Sequence, residues 1–389
     1  MLEFRLSQIK FELLDYLREF VNFLNYLAWL IFDPLKFKTV RSSSVKNLLV
    51  VFGGATGDCY NVIGAMNSVK IIYPNIKLYA LTNEKNRNFI KNPEIEVIDL
   101  KKSKNLLLHK RIDSIILYGV SRNIEVFDSE MSRAMYSAKN IVAFDLMKLS
   151  LKKWLRQKFF LSTRKLYPIR CNGPQTIIDS FRKLGLKISE PSFYFTKEGE
   201  NWAKKFVSAN NLKKKKIVLV HPNSAKTPKA IKEGKLPAVF WPIENWTSLI
   251  NGLTSEGFKV ILTGVSSEKV ITDKIYDRSD KTKIVDAVGK TPSIEALASL
   301  IKKSSIVISM DTSTAHISAQ VGVPQAIIFG STLPNRTTPI SKKKAEIYNK
   351  KMFHHCRRYA CKHCHNVSLK SISTDFAFRK INSLIKQPN

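Results

Sequence analysis

The stretch SSIVISMDTSTAHISAQVGVPQAIIFGST, residues 304–332, predicts a strand–helix–strand unit. Ile306 to Ser309 form a short apolar run with several β-branched residues, which is typical of a buried strand. Asp311 to Thr314 favour the beginning of a helix, and Gly322 predicts its end. A second apolar run, Ala326 to Phe329, predicts another strand. Two parallel strands joined by a helix form a right-handed βαβ crossover.

The beginning of this helix is a candidate anion-binding site. The first N–H groups of a helix are free, and the helix dipole favours negative charge there. Three hydroxyl residues, Thr312, Ser313 and Thr314, follow Asp311, and His316 comes shortly after them. For Asp311 alone a helix cap is the better interpretation. Because ligands of open α/β sheets bind at strand-end loops, the group as a whole predicts a ligand site.

The same stretch resembles the C-terminal signature of the ADP-heptose:lipopolysaccharide heptosyltransferases, glycosyltransferase family 9. That signature runs Asp-Thr-Gly, two residues, His, a helix, Gly-x-Pro, a strand and Phe-Gly-x-Thr. The residues that fit it here are Asp311, Thr312, His316, Gly322, Pro324, Phe329, Gly330 and Thr332. Ser313 replaces the usual Gly. The resemblance covers the chain from Lys46 onward and is strongest from Asp286 to Thr332.

Strands and helices alternate throughout both halves of the 389-residue chain, which predicts an α/β fold. We expect a GT-B arrangement, two doubly wound Rossmann-like domains facing a cleft, with an extra N-terminal helix. The predicted parts are an amphipathic helix and linker (1–45), an acceptor-side domain (46–209), a nucleotide-sugar-binding domain (210–370) and a closing helix (371–389). In two-domain glycosyltransferases of this shape the closing helix crosses back to the first domain.

The composition favours an anionic partner. The chain has 64 lysine and arginine residues against 31 aspartate and glutamate residues, a formal charge of +33. Such a charge suits a nucleotide, a nucleic acid or a lipid surface, so it discriminates poorly by itself. Five cysteines are too few for a disulfide framework and indicate a reducing compartment. No signal peptide is recognisable in residues 1–30, so we expect a cytoplasmic protein.

Two segments raise the question of membrane contact. The N-terminal helix has an uncharged run from Phe20 to Phe32, shorter than the roughly 20 apolar residues of a transmembrane helix. It either lies in the membrane interface or packs on the catalytic body, and both interpretations stay open. Leu151 to Lys165 is basic and amphipathic; a surface helix is the preferred interpretation, and contact with an acidic glycolipid is the alternative.

A glycine-rich turn follows the first predicted strand of the 46–209 domain. Counted from Gly53, Ala55 and Asp58 occupy the second and third glycine positions of G-x-G-x-x-G, so the turn is not a dinucleotide fingerprint. In the heptosyltransferases a Gly-Asp pair follows the first strand, and Gly57-Asp58 match it. By that resemblance Asp58 is the candidate general base and Gly57 part of the nucleotide-sugar site. Without it, a helix cap would be the better interpretation of Asp58.

The second domain departs from the family where a basic residue is expected. His221-Pro222-Asn223-Ser224 match the family's His-Pro-Gly-Ala segment, which makes Ser224 a candidate ligand of the nucleotide sugar. Val239-Phe240 stand where the family has Lys-Arg before Trp-Pro. Lys226 and Lys229, in a longer insert, are the candidates to replace the family's phosphate-binding lysine. Further on, Gly264 and Glu268 match the family's Gly-Gly-x-x-Glu turn, with Val265 for the second Gly.

The C-terminal region contains a cysteine cluster. Cys361 and Cys364 have the spacing of zinc ligands, and Cys356 is a further thiol. A second cysteine pair is absent, so free or buried thiols are the preferred interpretation and zinc the alternative. We expect no cofactor and no metal in the reaction, because fixed dipoles and cations can take the charge of the leaving group.

The resemblance implies an inverting glycosyltransferase that moves heptose from ADP-heptose to a lipopolysaccharide core acceptor. Its expected partners are that donor and acceptor, with peripheral contact at the cytoplasmic face of the inner membrane as a further hypothesis. One alternative is the same fold with another nucleotide sugar for a surface glycan. The other is a non-catalytic basic protein that binds membrane or nucleic acid. No aromatic-interleaved basic motif of an RNA-binding module is present, so we expect no nucleic-acid partner.

Overall fold

The computed structural model describes residues 42–53, 56–99, 111–118, 138–144, 165–169, 173–213, 215–224, 240–330, 332, 334–350 and 369–386. Several predictions lie outside these residues and stay predictions. They concern the N-terminal helix, most of the basic stretch 151–165, the lysine candidates Lys226 and Lys229, and the zinc candidates Cys356, Cys361 and Cys364.

The first sheet has six strands. The strands are β1 (Asn47–Phe52), β2 (Lys77–Thr82), β3 (Ile95–Asp99), β4 (Ser114–Tyr118), β5 (Asn140–Phe144) and β6 (Lys165–Ile169). In the described residues a helix follows β1, β2 and β6, and these helices are α1 (Thr56–Ile72), α2 (Glu84–Arg87) and α3 (Gln175–Lys183). We call β1–β6 with α1–α3 the first domain.

The second sheet repeats this plan. Its strands are β7 (Ile217–His221), β8 (Lys259–Leu262), β9 (Ile284–Asp286), β10 (Ile306–Met310), β11 (Gln325–Ile328) and β12 (Lys344–Ile347). The helices are α4 (Lys197–Ala209), α5 (Ile243–Ser255), α6 (Lys269–Asp277), α7 (Ile294–Ile301), α8 (Ser313–Val321), α9 (Pro334–Thr337) and α10 (Thr374–Ile385). We call β7–β12 with α4–α10 the second domain.

Both sheets have the same doubly wound strand order. The first runs β3-β2-β1-β4-β5-β6 and the second β12-β11-β10-β7-β8-β9, and all recorded pairs are parallel. The chain reverses its direction of winding between β1 and β4 in one sheet and between β7 and β10 in the other. Ligands of such sheets bind outside the carboxyl ends of the strands at this switch point. The predicted fold class is confirmed.

Apolar strands and helix faces explain why the sheets form. The β1 strand NLLVVF is buried from its second residue onward, as expected for a central parallel strand covered on both faces. In the second domain Trp241 and Trp246 are fully buried and meet edge to face, with ring centroids 5.0 Å apart. Trp241 Nε1 also donates to the carbonyl of Ile372 at 2.9 Å, which ties the C-terminal region to this core.

Two helices bear on the predicted domain organisation. Ala203 and Val207 of α4 share a hydrophobic cluster with Leu297 of α7 and also with Tyr60 of α1, so the predicted boundary at residue 209 stays a prediction. The closing helix was expected to return to the first domain. That prediction is wrong for the described residues, because the buried face of α10, Ala377, Ile381 and Leu384, belongs to the second core.

Candidate active site

The first site element is the beginning of α1. The β1 strand, buried from its second residue onward, ends at Phe52, and α1 begins at Thr56. Asp58 lies in the first turn of α1 and is exposed, whereas the next residue, Cys59, is fully buried. Burial, and then the charge of Asp58, raise the pKa of the Cys59 thiol to about 12. Cys59 is therefore a core residue and no nucleophile, and Asp58 presents the only carboxylate in this turn.

The second site element is the beginning of α8. The predicted strand and helix are confirmed as β10 and α8, and Gly322 ends the helix with a φ of 83°. Thr312 is the N-cap residue, but its side chain makes no capping hydrogen bond. Its hydroxyl is buried and has no hydrogen-bond partner. The first N–H groups of α8 are thus not capped by this side chain, which leaves them available to an anion.

The two elements meet where His316 lies against Gly57. A methyl group built on Gly57 would come within 3.2 Å of Cδ2 and 3.5 Å of Nε2 of the His316 ring. His316 is buried, and burial lowers its pKa to about 4, so the imidazole is neutral at pH 7. Its Nδ1 is buried without a hydrogen-bond partner. The structure therefore brings the Gly57-Asp58 pair of the first domain next to His316 of the second.

The contact between α1 and α8 continues along both helices. Nε2 of Gln320 donates to the backbone carbonyl of Tyr60 at 2.8 Å, and the carbonyl of Gln320 accepts from the backbone N–H of Phe193 at 3.2 Å. Gly64 allows this approach, because a Cβ there would lie 2.6 Å from Cδ of Gln320. Direct hydrogen bonds and a glycine-mediated contact thus hold the two domains together behind the site.

Hydrogen bonds from two threonines orient Asp311. Its Oδ2 accepts from the hydroxyl of Thr337 at 2.9 Å and from the hydroxyl of Thr332. Thr332 closes the loop after β11, and Thr337 ends α9. Asp311 is therefore not the N-cap of α8, the role expected for it in isolation. It is a carboxylate fixed at the carboxyl end of β10.

A third polar group lies at the carboxyl ends of β7 and β8. Because Ser309 of β10 pairs with His221 of β7, the loops that carry Ser224 and Asp311 leave adjacent strands. Burial lowers the pKa of His221 to about 4, and its Nδ1 lies 3.3 Å from the hydroxyl of Thr263. This places the predicted ligand Ser224 at the same sheet edge as the beginning of α8.

Glu268 is a buried acid at this edge. Its side chain is 3% exposed, and Oε2 accepts from the backbone N–H of Val265 at 2.9 Å. Burial raises its pKa to about 7, more than the hydrogen bond from Val265 lowers it. A Cβ on Gly264 would lie 2.8 Å from Oε2 of Glu268 and 3.6 Å from Nδ2 of Asn223. Glycine at 264 therefore leaves room for this carboxyl group, which is one of the groups with a perturbed pKa at the carboxyl ends of the strands.

The structure thus brings together part of the predicted site. Gly57 and Asp58 lie beside His316, whereas Thr312, Ser313 and Thr314 lie at the beginning of the same helix as His316. Sequence reasoning missed Thr337 and Gln320, whose roles depend on contacts across 26 and 260 residues. It noticed Glu268 only as part of a motif, and the burial that perturbs it could not be read from the spacing.

The described residues add two observations on metals and membranes. Among them, no group of three or more His, Cys, Asp or Glu side chains could hold a metal ion. None of the helices in the described ranges is long and apolar enough to cross a membrane.

Comparison with known proteins supports the assignment of two doubly wound α/β domains. The family model for glycosyltransferase family 9 (heptosyltransferase) matches residues 178–366. A solved family 9 glycosyltransferase from Veillonella parvula superposes with a TM-score of 0.66 at 15% identity, over 90% of this chain and 99% of that one. The Escherichia coli ADP-heptose lipopolysaccharide heptosyltransferase II superposes with a TM-score of 0.61 at 15% identity, over 87% and 98%.

A curated relative matches at the level of sequence. The lipooligosaccharide heptosyltransferase 2 of Haemophilus influenzae is 30% identical over 110 residues, which are 28% of this chain and 32% of that protein. The match thus spans about a third of the relative's length. The family model supports the resemblance found in residues 304–332, because the matched residues 178–366 include that whole stretch. The two superposed structures show that the chain shares the fold of glycosyltransferases of this family.

Proposed function

We propose that this protein is an inverting glycosyltransferase that transfers a heptose from ADP-heptose to a sugar of the lipopolysaccharide core. The family and the names of its relatives support the reaction class and the donor. The observation that carries the proposal is the contact of His316 with Gly57. This contact supports the proposal, because Gly57 precedes the candidate base Asp58 on one domain and His316 follows the candidate diphosphate site on the other. The transferred sugar would lie between them.

In the proposed reaction, the carboxylate of Asp58 removes the proton of the acceptor hydroxyl. The oxygen attacks the anomeric carbon while the bond from that carbon to the diphosphate oxygen breaks, which inverts the configuration. ADP leaves with the bonding electron pair. An exposed carboxylate suits this role, because an acceptor sugar can reach it.

The negative charge that develops on the diphosphate requires stabilisation. The N–H groups at Thr312, Ser313 and Thr314 would donate to its oxygens, with a lysine of the insert, Lys226 or Lys229, as counter-charge. Neutral His316 and the fixed carboxylate of Asp311 would hydrogen-bond hydroxyls of the sugar. Asp311 is not a phosphate ligand in this proposal, because like charges repel. Gly57 and Ser224 complete the proposed nucleotide-sugar site.

The acceptor and the location of the protein belong to the same proposal. A lipopolysaccharide core acceptor carries acidic groups, and a chain with a formal charge of +33 suits them. We propose that the protein works at the cytoplasmic face of the inner membrane and touches it peripherally. The reaction as written uses only side chains, backbone dipoles and the two substrates, and it needs no cofactor.

A donor panel tests the proposal. The full-length protein is mixed with ADP-heptose, UDP-glucose or GDP-mannose and a lipopolysaccharide core acceptor, and nucleoside diphosphate release is followed together with the product's mass. We expect transfer with ADP-heptose only. Transfer with another donor would keep the reaction type and refute the heptose assignment. Folded protein that binds no nucleotide would refute the transferase proposal and favour the non-catalytic binding protein.

A further inference from the structure

We propose that Thr337 is a positioning residue for Asp311 and that α9 makes the orientation of this carboxylate depend on the docking of the two domains. This inference rests on the proposed function, in which Asp311 hydrogen-bonds the donor sugar. Neither the predicted site nor the family signature quoted above includes Thr337.

The first step is the geometry at the carboxylate. Thr337 and Thr332 both donate to Oδ2 of Asp311, the first at 2.9 Å. A hydroxyl has a single proton, so each bond uses the only proton of its threonine. Two donors on one oxygen fix the side-chain torsions of Asp311, and hydrogen bonds to a charged group are the stronger kind. The direction of the second oxygen, Oδ1, is thereby fixed as well.

The second step is the contact of α9 with the first domain. Gly173 has a φ of +58°, and a Cβ there would overlap the backbone carbonyl of Arg336. Gly173 lies two residues before α3, whose residues Ile177 and Phe181 are buried in the first core. Arg336 directly precedes Thr337. One residue of α9 thus touches the first domain, and the next residue holds Asp311 of the second.

These contacts couple the docking of the two domains to the orientation of the Asp311 carboxylate. The helix α9 has four residues and ends at Thr337, so a displacement of Arg336 must move Thr337 as well. When the domains are docked, Gly173 and Arg336 are in contact and Thr337 is within hydrogen-bond distance of Asp311. When they separate, α9 loses its support on the first domain. Thr337 therefore orients the carboxylate of Asp311 only when the domains are docked. In the proposed reaction this is also the arrangement in which Asp58 faces the donor.

The neighbouring residue supplies a matched control. Thr338 follows Thr337 directly, and its hydroxyl is buried without a hydrogen-bond partner. Replacing threonine with valine keeps the shape and removes the hydroxyl. Thr337→Val therefore removes a bond to Asp311, whereas Thr338→Val removes a hydroxyl that holds nothing.

The test measures donor kinetics and ADP binding for Thr337→Val, Thr337→Ser and Thr338→Val, with thermal unfolding to confirm folding. We expect Thr337→Val to lower kcat/KM for ADP-heptose about tenfold or more, the usual effect of losing a hydrogen bond to a charged group. The Kd for ADP should not change, because ADP lacks the heptose that Asp311 contacts in the proposed site. Thr337→Ser keeps the hydroxyl and should restore activity, and Thr338→Val should behave as wild type.

The coupling has its own variant. Asparagine tolerates a positive φ, so Gly173→Asn should fold while its side chain presses on Arg336. We expect it to lower kcat/KM for ADP-heptose with an unchanged Kd for ADP, and to add little to Thr337→Val in the double variant.

The outcomes separate this inference from the proposed function. Equal kinetics of Thr337→Val and Thr338→Val in an active enzyme would overturn the role of Thr337 alone. Wild-type kinetics of Gly173→Asn would overturn the coupling. A wild-type protein that binds ADP but does not transfer heptose would overturn the proposed function, and this inference with it.

Discussion

The imidazole of His316 lies directly on the backbone of Gly57, so that a methyl group on Gly57 would come within 3.2 Å of Cδ2 of the ring. The two residues belong to different domains, and in the sequence they are the first and the last residue of the predicted site. Glycine at position 57 is explained by this contact, because the first turn of a helix otherwise accepts alanine readily. In the proposed site, a ligand bound between the domains would lie beside this contact.

The first prediction concerns this contact. Gly57→Ala should push the ring of His316 aside and lower kcat/KM for the donor by about tenfold, since a displaced ligand contact costs roughly 1–2 kcal/mol. Thermal stability should change little, because alanine favours the helix. Removing the ring relieves the crowding, so Gly57→Ala should have almost no effect in a His316→Ala background. Equal effects of Gly57→Ala in both backgrounds would contradict this explanation.

The second prediction concerns the junction of α1 and α8. Gly64→Ala would put a methyl group 2.6 Å from Cδ of Gln320 and 2.8 Å from Cβ of Pro191. We expect a loss of about 1–3 kcal/mol in unfolding free energy, the usual cost of overpacking. In urea denaturation, Gln320→Ala should recover part of that loss in the double variant. A Gly64→Ala protein as stable as wild type would show that the junction yields to an added methyl group.

The third prediction tests the anion site at α8. Thr312→Val removes a buried hydroxyl without an internal partner, so stability should stay equal or rise slightly. If this hydroxyl binds the diphosphate, the Kd for ADP should increase about five- to tenfold in calorimetry. Ser309→Ala is the control, because its hydroxyl is also buried and unpartnered but lies within β10. Equal ADP affinities of the two variants would argue against a ligand role for Thr312.

The fourth prediction follows from the pKa of Glu268, which burial raises from 4.5 to about 7. The native carboxyl keeps its proton up to about pH 7, whereas the unfolded chain loses it near pH 4.5. Its stabilising contribution is therefore present at low pH and lost as the pH rises through this window. Glu268→Gln does not titrate and can still accept from Val265.

Stability curves of the variant and the wild type should therefore diverge. The unfolding free energy of Glu268→Gln relative to wild type should rise by roughly 3 kcal/mol between pH 4.5 and 7 and then stay level. The buried histidines His221 and His316 titrate in both proteins, so their contributions cancel in the difference. A difference that is independent of pH would mean that Glu268 has an ordinary pKa in the native protein.

The strands and helices around the site could largely be predicted, because buried strands with β-branched residues and helices that end at glycine have strong local signals. Residues 304–332 became β10, α8 and β11 almost as predicted. The edge strands β6 and β12 were missed. Their sequences, KLYPI and KAEI, contain a proline or charges that local patterns do not associate with strands.

The contacts that join the two domains could not be predicted from the sequence. In the sequence Gln320 is an ordinary helix residue. Its hydrogen bond to the backbone carbonyl of Tyr60, 260 residues away, exists only in the folded protein. Thr337 lies in a short polar segment without periodicity, and only the fold brings it to Asp311. The prediction of Asp58 depended on the resemblance to a family, because an acid at the beginning of a helix usually acts as a cap.

The central claim, that Asp58 is the base of a transfer reaction between the domains, is tested most directly by Asp58→Asn. Asp375→Asn is its matched control, since Asp375 is also exposed in the first turn of a helix, α10. We expect Asp58→Asn to lower kcat for heptose transfer about a hundredfold or more, within the usual contribution of a general base, with an unchanged Kd for ADP. Asp375→Asn should be fully active. Transfer by Asp58→Asn at the rate of Asp375→Asn would contradict the claim.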